Sequence, residues 1–246
     1  MFEARCKADV LRTVIDAIST LVDEVKLKVG KDGLSLRAVD AARVAMLDLT
    51  LSKGAFVTYK AEDRELGLDV DKLKEVLKLA QSEDEITFTL DEEGNRLVIR
   101  IGNLVRRMSL VDTSAMADAQ MPKLEFPATI AIPASELERG VRASEAVADH
   151  IELRATPQQF ELAAAGDTDV VNLALDKKQL TNLRCSENEV RSLFSLDYFG
   201  HMVKAAKGAS DVTISLRTNY PVKLDFDIAG GNGHVTFLLA PRIESE

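Results

Sequence analysis

The chain has 246 residues, 46% hydrophobic and 29% charged, with a formal net charge of −9. That balance describes a globular protein large enough for one large or two small cores, and its acidity argues against a tight non-specific nucleic-acid binder. Its apolar runs fall far short of the ~20 residues that span a bilayer, and the opening MFEARCKADVLR alternates where a signal peptide would be continuously apolar, so the expectation is a cytoplasmic protein without a membrane partner.

In chain order, the first helical period runs over about 9–22, with Val10, Leu11, Val14, Ile15, Ile18 and Val22 on one face. Period-two strands follow through Leu34, Leu36 and Ala38, through Val44 and Met46, and through Leu47, Leu49 and Leu51. A second helix over about 71–81 buries Leu73, Val76, Leu77 and Ala80, with Asp71 as candidate N-cap. Strands then carry Ile86, Phe88 and Leu90, and Leu97, Ile99 and Ile101, with turns at 30–33, 93–95 and 230–233. Residues 113–127 lose all periodicity and are broken by Pro122 and Pro127; their isolated Met116, Met121, Leu124 and Phe126 suggest a connector that packs down. A third helix over 134–147 buries Leu137, Val141 and Val147, and a fourth over 197–206 buries Phe199, Met202, Val203 and Ala206.

The second half repeats the first. At an offset of 126, VAMLDLT (44–50) lies over VVNLALD (170–176), LSLRA (34–38) over FELAA (160–164), and VDKLKEVLKLA (70–80) over LDYFGHMVKAA (196–206). No gap is needed between residues 8 and 90; one extra residue near 217–222 then moves the offset to 127 and sets Leu97, Ile99 and Ile101 on Leu224, Phe226 and Ile228. Short turns imply antiparallel sheets, and two helices per unit cover only one sheet face. The fold class is therefore α+β, two repeated domains of antiparallel sheets with two helices each: 1–112, a connector at 113–127, and 128–246.

Basic residues recur on the non-core helix faces: Arg12 after Lys7, Lys74 and Lys78 beside Lys72, Arg139 and Arg142, Lys204 and Lys207. The acidic excess falls in turns and ends, at 62–63, 83–85, 91–93, Glu187, Glu189 and 244–246. With no Trp and no exposed aromatics among the cations, base stacking is unsupported and phosphate attraction without base readout fits better. No G-x-S-x-G, G-x-x-x-x-G-K-[ST], H-E-x-x-H or C-x-x-C occurs. His150, His201 and His234 are scattered, Cys6 and Cys185 show no metal spacing, and Asp40, Asp167 and Asp169 read as turn residues. No catalytic residue, metal or cofactor is expected.

MFEAR (1–5), GLSLRAVDAARVAMLDLTL (33–51), LDVDKLKEVLKLA (68–80) and LLAPRI (238–243) resemble the proliferating cell nuclear antigen type of DNA sliding clamp, its archaeal form in particular. The resemblance spans the whole chain. It implies a homotrimeric ring, helices inside and sheets outside, encircling double-stranded DNA and opened by a clamp-loader ATPase. It further implies that DNA polymerase, clamp loader, nuclease and ligase dock through short peptide motifs ending in two aromatics. By similarity, the DNA-facing residues are Arg12, Lys78, Arg139, Arg142 and Lys204; Ser19 and Glu75 stand where many relatives carry a basic residue. The matching peptide-pocket positions are Val39, Val44, Met46, Met121, Phe126, Pro221, Leu238, Ala240 and Pro241. A ring also needs open sheet edges, expected at about 104–111 and 169–176, with Arg106 and Arg107 on one and Asp167 and Asp169 starting the other as subunit-interface residues. The alternatives are a clamp-like subunit of an obligate heterotrimer and, without a supporting motif, a carboxylate hydrolase.

Overall fold

The computed structural model describes residues 1–243, so the acidic stretch at 244–246 lies outside the described residues. The chain forms two compact units. The first comprises Met1–Ala41, Leu47–Met121 and Asp227–Val235; the second comprises Ala42–Met46, Pro122–Phe226 and the chain from Thr236 on.

The first half runs β1 (Phe2–Lys7), α1 (Ala8–Ser19), β2 (Glu24–Gly30), β3 (Gly33–Val39), β4 (Ala45–Ser52), β5 (Thr58–Ala61), β6 (Arg64–Asp69), α2 (Val70–Leu77), β7 (Glu85–Asp91), β8 (Arg96–Ile101) and β9 (Leu104–Ser109). The second runs β10 (Ala128–Pro133), α3 (Ala134–Glu145), β11 (His150–Ala155), β12 (Gln159–Ala165), β13 (Val170–Asp176), β14 (Asn182–Cys185), β15 (Val190–Ser195), α4 (Leu196–Ala205), β16 (Asp211–Leu216), β17 (Val222–Ile228) and β18 (Gly233–Leu239). The order β5-β1-β7-β8-β9 recurs as β14-β10-β16-β17-β18, and β4-β3-β2-β6 recurs as β13-β12-β11-β15. The α+β class and the duplication therefore hold element by element.

The repeat extends to pairing register. Lys28 faces Ser35 and Arg154 faces Glu161; Glu24 faces Asp69 and His150 faces Ser195; Lys7 faces Glu85 and Pro133 faces Asp211. Each pair is the other moved by 126. At the following hairpin the sequence alignment errs. Phe88 faces Ile99 and Ile214 faces Leu224, so the partner of Ile99 in the repeat is Leu224, an offset of 125 rather than 127. The second hairpin is one residue shorter, not longer. A two-residue slip leaves every side chain on its original face, so hydrophobic alternation cannot tell the two apart.

Helix ends also move. α1 stops at Ser19, where the Thr20 hydroxyl donates to the Ala17 carbonyl (2.7 Å), and Val22 lies beyond it, half-buried. α2 starts at Val70: its N-cap is Asp69, not Asp71, and the Asp69 carboxylate accepts the Lys72 N–H at 2.9 Å. Both aspartates suit a helix start, but only Asp69 sits three residues before a free amide; Asp71 lies in the first turn, favourable to the dipole. Ala80 is buried after the helix has ended, and Val147 is only half-buried beyond α3. The two strands expected through Val44–Met46 and 47–51 are one, β4, in which Ala45, Met46 and Leu47 are buried in succession.

In the first unit α1 and α2 pack on each other, α1 on β1 and α2 on β2 and β6. Leu11, Ile15 and Ile18 of α1 and Leu73 and Val76 of α2 meet the inward residues of both sheets around a residual void of about 70 Å³. In the second unit α3 and α4 pack together in the same way.

Asp69→Ala removes the cap and is expected to destabilise the first unit by about 1 kcal/mol at neutral pH, measured by thermal or urea unfolding. Hydrogen bonds from the Lys72 ammonium and amide hold the Asp69 carboxyl below its ordinary value. The cap's contribution is therefore present above the unfolded carboxylate pKa of about 3.9 and lost as pH falls through the lower folded value. The gap between wild type and Asp69→Ala should shrink in that acid range.

Candidate nucleic-acid interface and binding surfaces

The five candidate DNA-facing residues fall into three groups. Arg12 is committed inside its own unit. Its guanidinium pairs with Asp9 at 2.9 Å and donates to the carbonyls of Leu77 (3.3 Å) and Ala80. It thus ties α1 to the chain at and just after the end of α2: it adds to the Ala80 N–H bond that the Leu77 carbonyl already accepts and takes the Ala80 carbonyl beyond the helix. Arg139 pairs with Glu136 on its own helix at 2.6 Å, and Lys204 of α4 reaches Glu145 of α3 at 2.8 Å. Lys78 and Arg142 are exposed and have no ion pair among the described residues. Lys78 and Lys204 occupy the same place in the repeat. Glu75, one of the two departures from a basic pattern, is exposed and takes Arg106 at 3.4 Å.

The two candidate edges are both end strands, β9 in the first unit and β13 in the second. β9 is the repeat partner of β18, and β13 of β4. Those two counterparts are neighbours. In the first unit the Ser52 N–H donates to the Asn232 carbonyl at 2.7 Å; in the second the Ala240 N–H donates to the Val44 carbonyl at 2.8 Å. The strands β9 and β13 have no such partner among the described residues. Leu104 and Val105 on β9 and Val170 on β13, the last 73% exposed, are apolar side chains left in solvent. Arg106 and Arg107 do not act together, because successive strand residues face opposite ways. Arg106 turns to Glu75 of α2, whereas Arg107 is exposed on the other face. Asp167 and Asp169 are exposed in a turn where the Gly166 N–H donates to the Asp169 carbonyl (2.9 Å).

Most candidate peptide-pocket residues lie in the second unit: Val44, Met46, Phe126, Pro221, Leu238, Ala240 and Pro241. Met46 and Leu238 are buried, whereas Val44 is 37% exposed. Phe126 packs edge-on against Tyr220, centroids 5.9 Å apart, and the Arg217 guanidinium lies 5.0 Å from the Tyr220 ring centre. Sequence reasoning misses Tyr220 and Arg217; their only signal is a place just before Pro221. Val39, 38% exposed, and the half-buried Met121 belong to the first unit.

Each histidine has a partner: His150 takes Arg242 (2.9 Å), His201 faces Asp197 (3.6 Å) and His234 faces Asp227 (2.8 Å). Among the described residues no three His, Cys, Asp or Glu side chains converge as metal ligands. Burial pushes the Cys6 thiol up to about 12, so it stays protonated. No helix among the described residues is long and apolar enough to cross a membrane.

Residues 1–118 match the family model of the proliferating cell nuclear antigen N-terminal domain, and residues 120–242 that of its C-terminal domain. The chain belongs to the proliferating cell nuclear antigen family. Among curated relatives, the DNA polymerase sliding clamp of Methanocella arvoryzae is 44% identical over 247 residues, and that of Methanosarcina barkeri is 39% identical. Both alignments cover 100% of each chain. Among solved structures, A. fulgidus proliferating cell nuclear antigen bound to the C-terminal region of FEN-1 superposes with a TM-score of 0.94 at 33% identity, covering 100% of both chains. The Thermococcus kodakaraensis protein of this family superposes with a TM-score of 0.91 at 26% identity, covering 98% of this chain and 100% of that one.

Within this family fold, Arg12→Ala removes the donor to the part-buried Ala80 carbonyl and the tie between α1 and the end of α2, and is expected to cost about 1–3 kcal/mol of stability. Arg142→Ala should stay within about 0.5 kcal/mol of wild type. Thermal unfolding of the two variants side by side checks the distinction.

Proposed function

We propose that the chain is a DNA sliding clamp: three copies join head to tail into a closed ring around duplex DNA and tether polymerases and other replication and repair proteins to it. The observation that carries this reading is the pair of unmatched edges. β4 and β18 satisfy each other, while among the described residues their repeat equivalents β13 and β9 have a free row of backbone donors and acceptors. Pairing β9 of one copy with β13 of the next repeats a contact the sequence already encodes. Because the two edges differ, the joint is heterologous and generates rotation rather than a two-fold dimer. Arg107 on the β9 edge and Asp167 and Asp169 at the head of the β13 edge supply complementary charge. Arg106 contributes less, since Glu75 already holds it.

The DNA-facing surface in this reading is the outer face of the helices. Lys78 and Arg142 offer unpaired charge, Arg139 and Lys204 offer charge shared with their own glutamates, and Arg12 acts as a structural tie between α1 and the end of α2. Weak, sequence-independent phosphate attraction suits a protein that must slide, and topology rather than affinity holds it on DNA. The clamp is not itself an enzyme; its chemistry is that of its partners. The solved structure with a FEN-1 segment supports docking of nucleases through a short peptide, and the same surface would take polymerase, ligase and clamp loader. Val44, Met46, Phe126, Pro221, Leu238, Ala240 and Pro241 of the second unit would form it, while Val39 and Met121 of the first unit stay candidates by family resemblance. Exposed apolar residues over a buried apolar floor are the mark of such a surface.

In size-exclusion chromatography with light scattering the purified chain should have the mass of three copies. Arg107→Glu should weaken the trimer more than Arg106→Glu, and the double reversal should give monomers; an unchanged trimer contradicts the edge assignment. Lys78→Ala and Arg142→Ala should each flatten the salt dependence of DNA binding by about 0.9 in log–log slope for each phosphate that the wild-type side chain neutralises. Arg12→Ala should leave that slope unchanged.

A further inference from the structure

The connector does not leave the first unit freely. The Val111 N–H donates to the Gly67 carbonyl of β6 at 2.9 Å, and a Cβ at position 67 would collide with the Val111 carbonyl oxygen. Lys26 of β2, with only 12% of its side chain exposed, donates to the Met116 carbonyl at 2.9 Å and pairs with Asp118 at 2.8 Å. Lys28, two residues along and on the same strand face, binds the same carboxylate at 3.1 Å. Glu65, the register partner of Lys28, lies 3.8 Å from both ammonium groups. The hydrogen bond between Lys26 and Asp118 raises the Lys26 pKa and lowers that of Asp118.

The second unit shows what is inherited and what is added. There the Arg242 N–H donates to the Leu193 carbonyl at 2.7 Å, and Leu193 is the repeat equivalent of Gly67. Docking of the segment that follows the last strand is thus common to both copies. The ionic hold is not. The equivalents of Lys26, Lys28 and Glu65 are Glu152, Arg154 and Arg191. Glu152 pairs with Arg191 at 3.8 Å, and Arg154 with Glu161 and Glu189. Among the described residues none of them holds the segment after β18. Among the described residues the latch occurs in one copy, the one whose trailing segment continues into Met121, Leu124 and Phe126.

We propose that Lys26, Lys28 and Asp118 form an ionic latch that positions the connector for partner-peptide binding. Two residues separate Asp118 from Met121, so fixing Asp118 restricts where Met121 can lie. A latched connector has already given up much of the chain entropy that a loose one would surrender on binding. Its exposed carboxylate makes the hold sensitive to salt, because the Debye length falls from ~10 Å at 0.1 M to ~3 Å at 1 M. The positioning role rests on the clamp reading; the latch itself rests on contacts within the first unit.

Hydrogen exchange of the intact protein, read by mass spectrometry, tests the latch directly. Asp118→Asn and Lys26→Met should speed exchange of the 113–121 amides severalfold, and the charge swap Lys26→Asp with Asp118→Lys should restore part of the protection. Arg154→Met, the equivalent change in the second copy, should leave those amides unaffected. In fluorescence anisotropy, a synthetic peptide ending in two adjacent aromatics should bind Asp118→Asn about three- to tenfold more weakly, and the variant should show less salt dependence than the wild type. Unchanged exchange across 113–121 in both single variants overturns the latch. Faster exchange with unaltered peptide affinity overturns its positioning role. A wild type that binds no such peptide defeats the peptide-surface reading, and the exchange data then judge the latch alone.

Discussion

A sheet edge carries backbone N–H and C=O groups that must find partners, and the rest of this molecule's logic depends on where they find them. The duplication creates two copies of each edge role. One pair, β4 and β18, is satisfied within the chain; the other, β13 and β9, has no such partner among the described residues. Long unpaired edges with exposed Leu104, Val105 and Val170 are an aggregation hazard in a lone subunit. In the proposed ring the same edges would be covered by neighbouring copies. The pairing of β4 with β18 inside the chain is the precedent for the pairing proposed between copies.

Electrostatics follows the same economy. The chain is acidic overall, yet its helices carry basic residues at repeated spacing. Charge counted in sequence overstates the free positive surface, because Glu136 and Glu145 take up Arg139 and Lys204, and Arg12 is turned inward to tie α1 to the end of α2. What remains free on the helices is sparse. Each phosphate neutralised adds steeply to salt-dependent affinity, so under the proposed function a sparse surface would keep attraction to DNA weak enough to permit sliding. A densely basic lining would bind tightly and stall.

Much of this is legible in the sequence. The 126-residue repeat, the class and the four helices follow from hydrophobic period, since those patterns are local; the two edge strands are expected only from the ring that the family resemblance implies. The failures have physical causes. The hairpin offset is misread because strands tolerate a two-residue slip without changing faces. Asp71 is preferred to Asp69 because two nearby cap-competent residues differ only in which amide they reach. The role of Arg12 depends on carbonyls 65 and 68 residues away, and the latch joins Lys26 to Asp118 across a still longer stretch of chain. Such long-range pairs leave no period to read. The helix-face charges and the peptide-pocket positions rest on spacing and family resemblance, and the structure divides them into residues that are free, shared or already occupied.

The central claim is topological, and it is tested by changing the topology of the DNA. The chain is placed on nicked circular plasmid by its clamp loader, freed of loader by gel filtration in high salt, and then exposed to a restriction enzyme that cuts the circle once. A sliding clamp stays with the intact circle and leaves within minutes of linearisation, unless both ends are blocked by bound protein. Retention that depends on salt but is the same on circular and linear DNA would contradict the account.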